Sequence, residues 1–225
     1  DEIYGQLHHK GEHISVAKFY PEGTIISSGM SKWCAAGGWR LGTFAFPGKL
    51  DWLQNAMSNA ASQTYTSVSS PIQWAGVTAF KGGVEIERYL WHARRIFAKL
   101  SNYCADMLRD AGARVPEPEG AFYLFPDFSP IADNLEKRDI NGSEDLCDAI
   151  LCEKHVATIP GAAFSRPKEE FTFRMSYCNF DGNKAMAASE TIPLHKELDD
   201  EFLEAYCSKT LESTRRICDF VNKGA

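Results

Sequence analysis

At 225 residues, with 44% apolar and 24% charged side chains, the chain has the make-up of a soluble globular protein able to bury a real core, as one large domain or two small ones. A formal charge of −6 argues against nucleic acid or an anionic membrane as the main partner, and no apolar run reaches the length that spans a bilayer. Seven cysteines, an odd number without paired metal-type spacing, read as free thiols in a reducing compartment, which makes the cytoplasm the default location.

In chain order, Thr24 to Ser27 reads as a short buried strand and Trp39 to Phe46 as a second, ended by Pro47-Gly48. Lys49 to Ala61 is helix-like, and Pro71 opens another helix with Ser70 as its expected N-cap. The clearest helix runs from Val84 to Ala111: Ile86, Leu90, Ala93, Phe97, Leu100, Cys104 and Leu108 recur at spacings of three and four, and Gly112 is a natural stop. Beyond it, Ala113 to Val115, Ala121 to Phe125, Val156 to Ile159 and Phe171 to Tyr177 read as strands. Ser143 is the expected cap of a helix through Leu151. Asp181 to Glu190 and Glu201 to Asn222 are helical, with Pro193 between them. Alternating strands and helices predict an α/β fold. The long helix is the expected bridge between two lobes, residues 1–85 and 86–225.

The chemistry concentrates in Ser28-Gly-Met-Ser31-Lys32-Trp-Cys-Ala-Ala-Gly37-Gly38-Trp39-Arg40. A lysine among small residues is followed, eight positions on, by an arginine. A lone lysine is usually a solvated charge, but one that must form an imine needs surroundings in which its neutral amine is not costly. Arginine offers the permanent forked charge that suits a phosphate dianion. Phe171-Thr-Phe-Arg174-Met-Ser176 places another arginine inside an apolar strand, where its charge needs a partner: a substrate carboxylate, or an internal Asp or Glu.

These segments resemble the class I/II (fold-type I) pyridoxal-phosphate-dependent aminotransferases, and the resemblance runs from Asp1 to about Glu190. It implies the aspartate aminotransferase fold, here part of a large cofactor-binding domain (1–85) followed by a small C-terminal domain (86–225). It also implies pyridoxal 5'-phosphate as cofactor, carried as a Schiff base by Lys32, with Arg40 and one of Ser28 or Ser31 on its phosphate. Asp1-Glu-Ile-Tyr4 resembles the family's Asp-x-x-Tyr element, in which the aspartate faces the pyridine nitrogen and the tyrosine the phenolic oxygen. Arg174 would take the α-carboxylate of the substrate. Gly29 stands where many members carry a hydroxyl residue.

Two further stretches, Glu119-Gly-Ala-Phe-Tyr-Leu-Phe125 and Ile159-Pro-Gly161-Ala-Ala-Phe-Ser165, look like small-domain segments of the family and are otherwise plain strand and turn chemistry. The expected activity is amino transfer between an amino acid and a 2-oxo acid, by a homodimer whose active sites are shared across subunits. Alternatives are a lyase or synthase of the same fold, or an inert dimerising piece, because the resemblance makes this chain the C-terminal portion of a longer parent. No arginine occurs between Arg40 and Arg88, where dicarboxylate-specific relatives often place one, so preference for aspartate or glutamate by that device is not supported. The six histidines show no ligand spacing, His8-His9 reads as an exposed pair, and Cys34 as a packing residue.

Overall fold

The computed structural model describes residues 1–223, which fall into two compact units, residues 1–91 and 92–223. The chain passes from one to the other within a single helix.

The first unit opens with 3-10 turns and a two-stranded antiparallel ribbon, β1 (Ile26–Gly29) with β2 (Gly42–Ala45), in the register Ser28↔Thr43 and Gly29↔Gly42. The first strand starts two residues later than its apolar pattern predicts. Trp39 lies in a 3-10 turn, Gly37–Trp39, rather than in β2. Two helices follow, α1 (Asp51–Thr64) and α2 (Ser70–Lys81), the second with Ser69 rather than Ser70 at its N-cap position and Pro71 in its first turn. An isolated ribbon is marginal in water, so this one depends on packing. Leu41, buried just before β2, supplies it by seating on Gly76 of α2, where a Cβ would lie 3.1 Å from Leu41 Cδ1. A glycine in mid-helix otherwise costs stability, and close approach is its reason here. The unit leaves large apolar side chains in the open, Trp74 at 72% and Tyr65 at 69% exposure among them.

The α3 helix (Val84–Asp110) begins in the first unit and ends in the second, where Gly112 (φ +94°) takes the left-handed conformation that stops it. In the second unit a small antiparallel sheet has the order β3 (Tyr123–Leu124), β5 (Phe173–Ser176), β4 (Ile159–Pro160). Residues 113–115 do not form the strand expected of them; Arg114 contributes one isolated bridge, to Asp127. Likewise Val156 to Thr158 stay outside β4. Around the sheet pack α3, α4 (Ala132–Glu136), α5 (Ser143–Lys154), α6 (Gly182–Glu190), α7 (Asp200–Tyr206) and α8 (Ser208–Val221), enclosing one core that includes Leu100, Leu108, Phe128, Phe173, Leu203 and Phe220. The C-terminal segment expected as one helix is broken at Cys207. Two contacts fix the break: the Thr210 hydroxyl donates to the carbonyls of Tyr177 and Asn179, at 3.3 and 3.2 Å, and draws the start of α8 onto the chain leaving β5.

Ser143 is not a cap either. The N-cap is Gly142, and the buried Ser143 hydroxyl accepts from the Ala162 N–H at 3.3 Å. A Cβ on Gly142 would stand 2.1 Å from the Lys168 carbonyl oxygen, a backbone atom that cannot swing away. Gly142→Ala is therefore expected to destabilise the protein by about 1–3 kcal/mol through overpacking. The urea midpoint reads it; an unchanged midpoint would mean that the 168–169 backbone yields freely.

Candidate functional site

The first unit carries most of the expected site residues on one strand–turn–strand segment. β1 brings in Ser28, half-buried opposite Thr43, and runs into a turn bearing Ser31 and Lys32. Backbone bonds close that turn: the Ala35 N–H donates to Lys32 O at 3.1 Å and the Ala36 N–H to Met30 O at 3.2 Å. Met30 and Trp33 are buried on either side of the Ser31–Lys32 pair and pin it, Trp33 meeting the Phe80 ring edge-on at 5.7 Å. Gly29 has a steric reason: a Cβ there would lie 2.7 Å from the Leu41 carbonyl oxygen, so the ribbon excludes the hydroxyl residue that family members often carry.

Asp1 to Tyr4 lies alongside β1, because the Glu2 N–H donates to Ser27 O at 2.7 Å. Asp1 is exposed and accepts from the Ile3 N–H at 3.2 Å. The Lys32 ammonium sits 5.9 Å from the centroid of the Tyr4 ring. Arg40 closes the segment with a left-handed backbone (φ +57°), its exposed guanidinium donating through Nη1 to Gly37 O at 2.8 Å.

One support was not visible in the sequence. His13 Nε2 lies 3.1 Å from Glu2 Oε2 and its ring packs on Gly5, tying residues 13–15 to the turn that carries Asp1 and Tyr4. Burial would raise the Glu2 carboxyl, but hydrogen bonding with Ser15 and His13 holds it below the usual range. His8 is half-buried, with Nδ1 3.1 Å from Gly5 O, and not the exposed residue expected. Burial pushes the Cys34 thiol up to about 11, which leaves it protonated and inert, as its reading as a packing residue requires.

The donor set fits pyridoxal 5'-phosphate. The functional groups such a cofactor needs are present: a primary amine at Lys32, a carboxylate at Asp1, a phenol at Tyr4, and hydroxyl and guanidinium groups at Ser28, Ser31 and Arg40. Among the described residues no group of three His, Cys, Asp or Glu side chains is arranged to hold a metal ion.

Arg174 belongs to the second unit. Phe173 and Met175 of β5 point into the core, so the two-residue period turns Arg174 to the other face, half-buried. Its guanidinium lies 4.4 Å from the centroid of the Tyr123 ring and 4.6 Å from that of Phe164. No acidic side chain among the described residues forms an ion pair with it, so the internal Asp or Glu that could have explained this arginine is not there. Both aromatic neighbours come from the two segments that resemble the family's small domain.

Residues 1–192 match the family model described as aminotransferase class I and II. An aspartate aminotransferase from Bacillus sp. (strain YM-2) is 36% identical over 186 residues, covering 79% of this chain and 43% of that protein. The aspartate/prephenate aminotransferase of Thermus thermophilus is 32% identical over 165 residues, 73% of this chain and 40% of its own. Among solved structures, a double mutant of Thermus thermophilus aspartate aminotransferase superposes with a TM-score of 0.68 at 28% identity, over 84% of this chain and 45% of that one. A Pyrococcus protein reaches a TM-score of 0.74 at 25% identity over 99% of this chain and 48% of its own. The chain thus spans less than half the length of these relatives. With the match running unbroken from the Asp-x-x-Tyr turn through the lysine loop to the end of α6, the chain belongs to the class I and II aminotransferases.

Proposed function

We propose that this chain carries the lysine, phosphate-arginine and carboxylate-arginine components of a pyridoxal-phosphate-dependent aminotransferase that exchanges the amino group of an amino acid with a 2-oxo acid. The observation that carries the reading is the Lys32 ammonium 5.9 Å from the centroid of the Tyr4 ring, on a turn that backbone bonds and buried neighbours fix. Pyridoxal 5'-phosphate, when bound, supplies an aldehyde that condenses with amines and a cationic ring that accepts the electron pair released at the substrate Cα.

The remaining roles fall to the chain. Lys32 would supply the amine that holds the cofactor, and its free amine would move the proton at the substrate Cα, as general base and then general acid. Asp1 keeps a positive charge favourable at the ring nitrogen by opposite-charge pairing. Tyr4 offers its hydroxyl to the ring oxygen, Ser28 and Ser31 theirs to the phosphate, and Arg40 neutralises that phosphate. Arg174 binds the substrate α-carboxylate through its fork and so sets which Cα bond is presented for cleavage.

The segment between Arg40 and Arg88 has no arginine, so a preference for a dicarboxylate substrate by a guanidinium placed there is not supported. Trp52, Tyr65 and Trp74 are large apolar side chains left exposed, of the kind that protein contacts bury, and they support assembly as a homodimer. Among the described residues no helix is long and apolar enough to cross a membrane.

Incubating the chain with pyridoxal 5'-phosphate, reducing with borohydride and mapping the peptides tests the central claim. The expected result is a single stable adduct on Lys32. An adduct on another lysine, or none, would end the reading.

A further inference from the structure

We infer that Tyr123 and Phe164 are positioning residues that clamp the Arg174 guanidinium between two aromatic faces and leave only its edge open to a carboxylate. The inference rests on the proposed carboxylate role of Arg174 and adds how that role is set up. Ring centroids at 4.4 and 4.6 Å place the cation within the range of attraction to aromatic faces. Held between the two rings, the guanidinium would keep for a partner its five N–H donors, which all lie in the guanidinium plane. An anion then has one approach, edge-on, which is the geometry of a two-point carboxylate bond.

The clamp is built rather than incidental. Tyr123 is fixed on β3 by its register with Ser176 and packs against Phe122, centroid to centroid 4.9 Å. The turn before it holds Ala121 in the left-handed conformation (φ +59°), and the buried Tyr177 hydroxyl donates to the Ala121 carbonyl at 3.0 Å. A left-handed non-glycine residue persists only where its surroundings impose it.

On the other side, Phe164 ends the 3-10 turn Gly161–Phe164 and is braced edge-on by Phe125 at 5.8 Å. That turn sits against β5 because Gly161 has no Cβ: one there would fall 2.0 Å from Thr172 Oγ1, while the Gly161 N–H donates to Thr172 O at 2.8 Å. The Ser143 hydroxyl, accepting from Ala162, anchors it from α5. Two sequence segments without assigned chemistry thus converge on one side chain.

Arginine Nε–H resonances in a ¹⁵N-correlated proton spectrum of the full chain report the clamp directly, and titrating with pyruvate as probe reports the carboxylate seat. The wild-type Arg174 signal is expected upfield of the exposed arginines, from the ring currents of both faces, and to move on adding pyruvate. Phe164→Leu should return the signal downfield and weaken pyruvate about three- to tenfold, the loss of one cation–π face. Phe164→Tyr should restore both, with the amide spectrum unchanged throughout.

A wild-type signal at the position of exposed arginines overturns the proposal without any variant. So does equal pyruvate affinity in Phe164→Leu. A signal that is upfield but unmoved by pyruvate in every variant has another meaning. It removes the carboxylate role of Arg174, and the positioning role falls with it although the stack itself exists.

Discussion

Lys32→Ala is expected to abolish covalent cofactor attachment in this chain and to lower turnover of the active enzyme by more than any other single substitution. Alanine removes both things the side chain is proposed to do. It deletes the amine that condenses with an aldehyde, and it deletes the base that moves the proton at the substrate Cα. General acid–base transfer alone is worth about 10²–10⁴-fold, and losing the attachment point adds to that. Folding should be spared: Lys32 is half-buried on a turn whose closure depends on backbone bonds and on Met30 and Trp33, so stability should change by less than about 1 kcal/mol. Lys32→Arg separates charge from nucleophile, because a guanidinium keeps the cation near Tyr4 but does not form the imine. It should fail as completely as alanine in borohydride trapping. Substantial turnover in either variant would assign the chemistry to a different residue.

How far such roles can be read from sequence depends on whether the determinants are local. The α3 stripe was legible because its core residues recur at helical spacing and its stop is a glycine in the required left-handed conformation. The lysine turn was legible because all its parts lie within a dozen or so neighbouring residues. Even Gly29, a departure from the family's pattern, turns out to be local: the facing strand leaves no room for a side chain.

What escaped is set by distant contacts. Nothing near Cys207 breaks a helix; no proline or glycine is present, and the interruption comes from Thr210 bonding to carbonyls more than thirty positions back. Ser143 has the chemistry of a cap, but its hydroxyl is taken by Ala162, nineteen residues on. The expected strand at Ala113 to Val115 shrank to one bridge because a strand requires a paired neighbour along its length, which periodicity does not supply. His13 gave no signal of its own, since its link to Glu2 needs the segment to fold back past Gly5. Tyr123 and Phe164 were visible only as members of segments that resemble the family's small domain, with no role of their own. They meet Arg174 through sheet register on one side and the missing Cβ of Gly161 on the other.

Arg174→Ala carries the second large effect, about 30- to 1,000-fold in kcat/KM for amino-acid substrates, since losing one partner of a hydrogen-bonded charge pair costs roughly 2–4 kcal/mol. Direction follows from the partition of that loss. If Arg174 only held the carboxylate equally well throughout, KM alone would rise. If it also orients the Cα bond for cleavage, as proposed, kcat should fall too. Arg174→Lys distinguishes the contributions: it retains charge but loses the planar fork and the flat surface that Tyr123 and Phe164 grip, so KM should recover in part while kcat stays low. The fold should tolerate both changes, for Arg174 lies on the face of β5 opposite Phe173 and Met175 and holds no ion pair among the described residues that its removal would strand. Steady-state kinetics of the two variants decide the matter. Unchanged kcat/KM in Arg174→Ala would leave the aromatic stack as packing, and the carboxylate would need another cation.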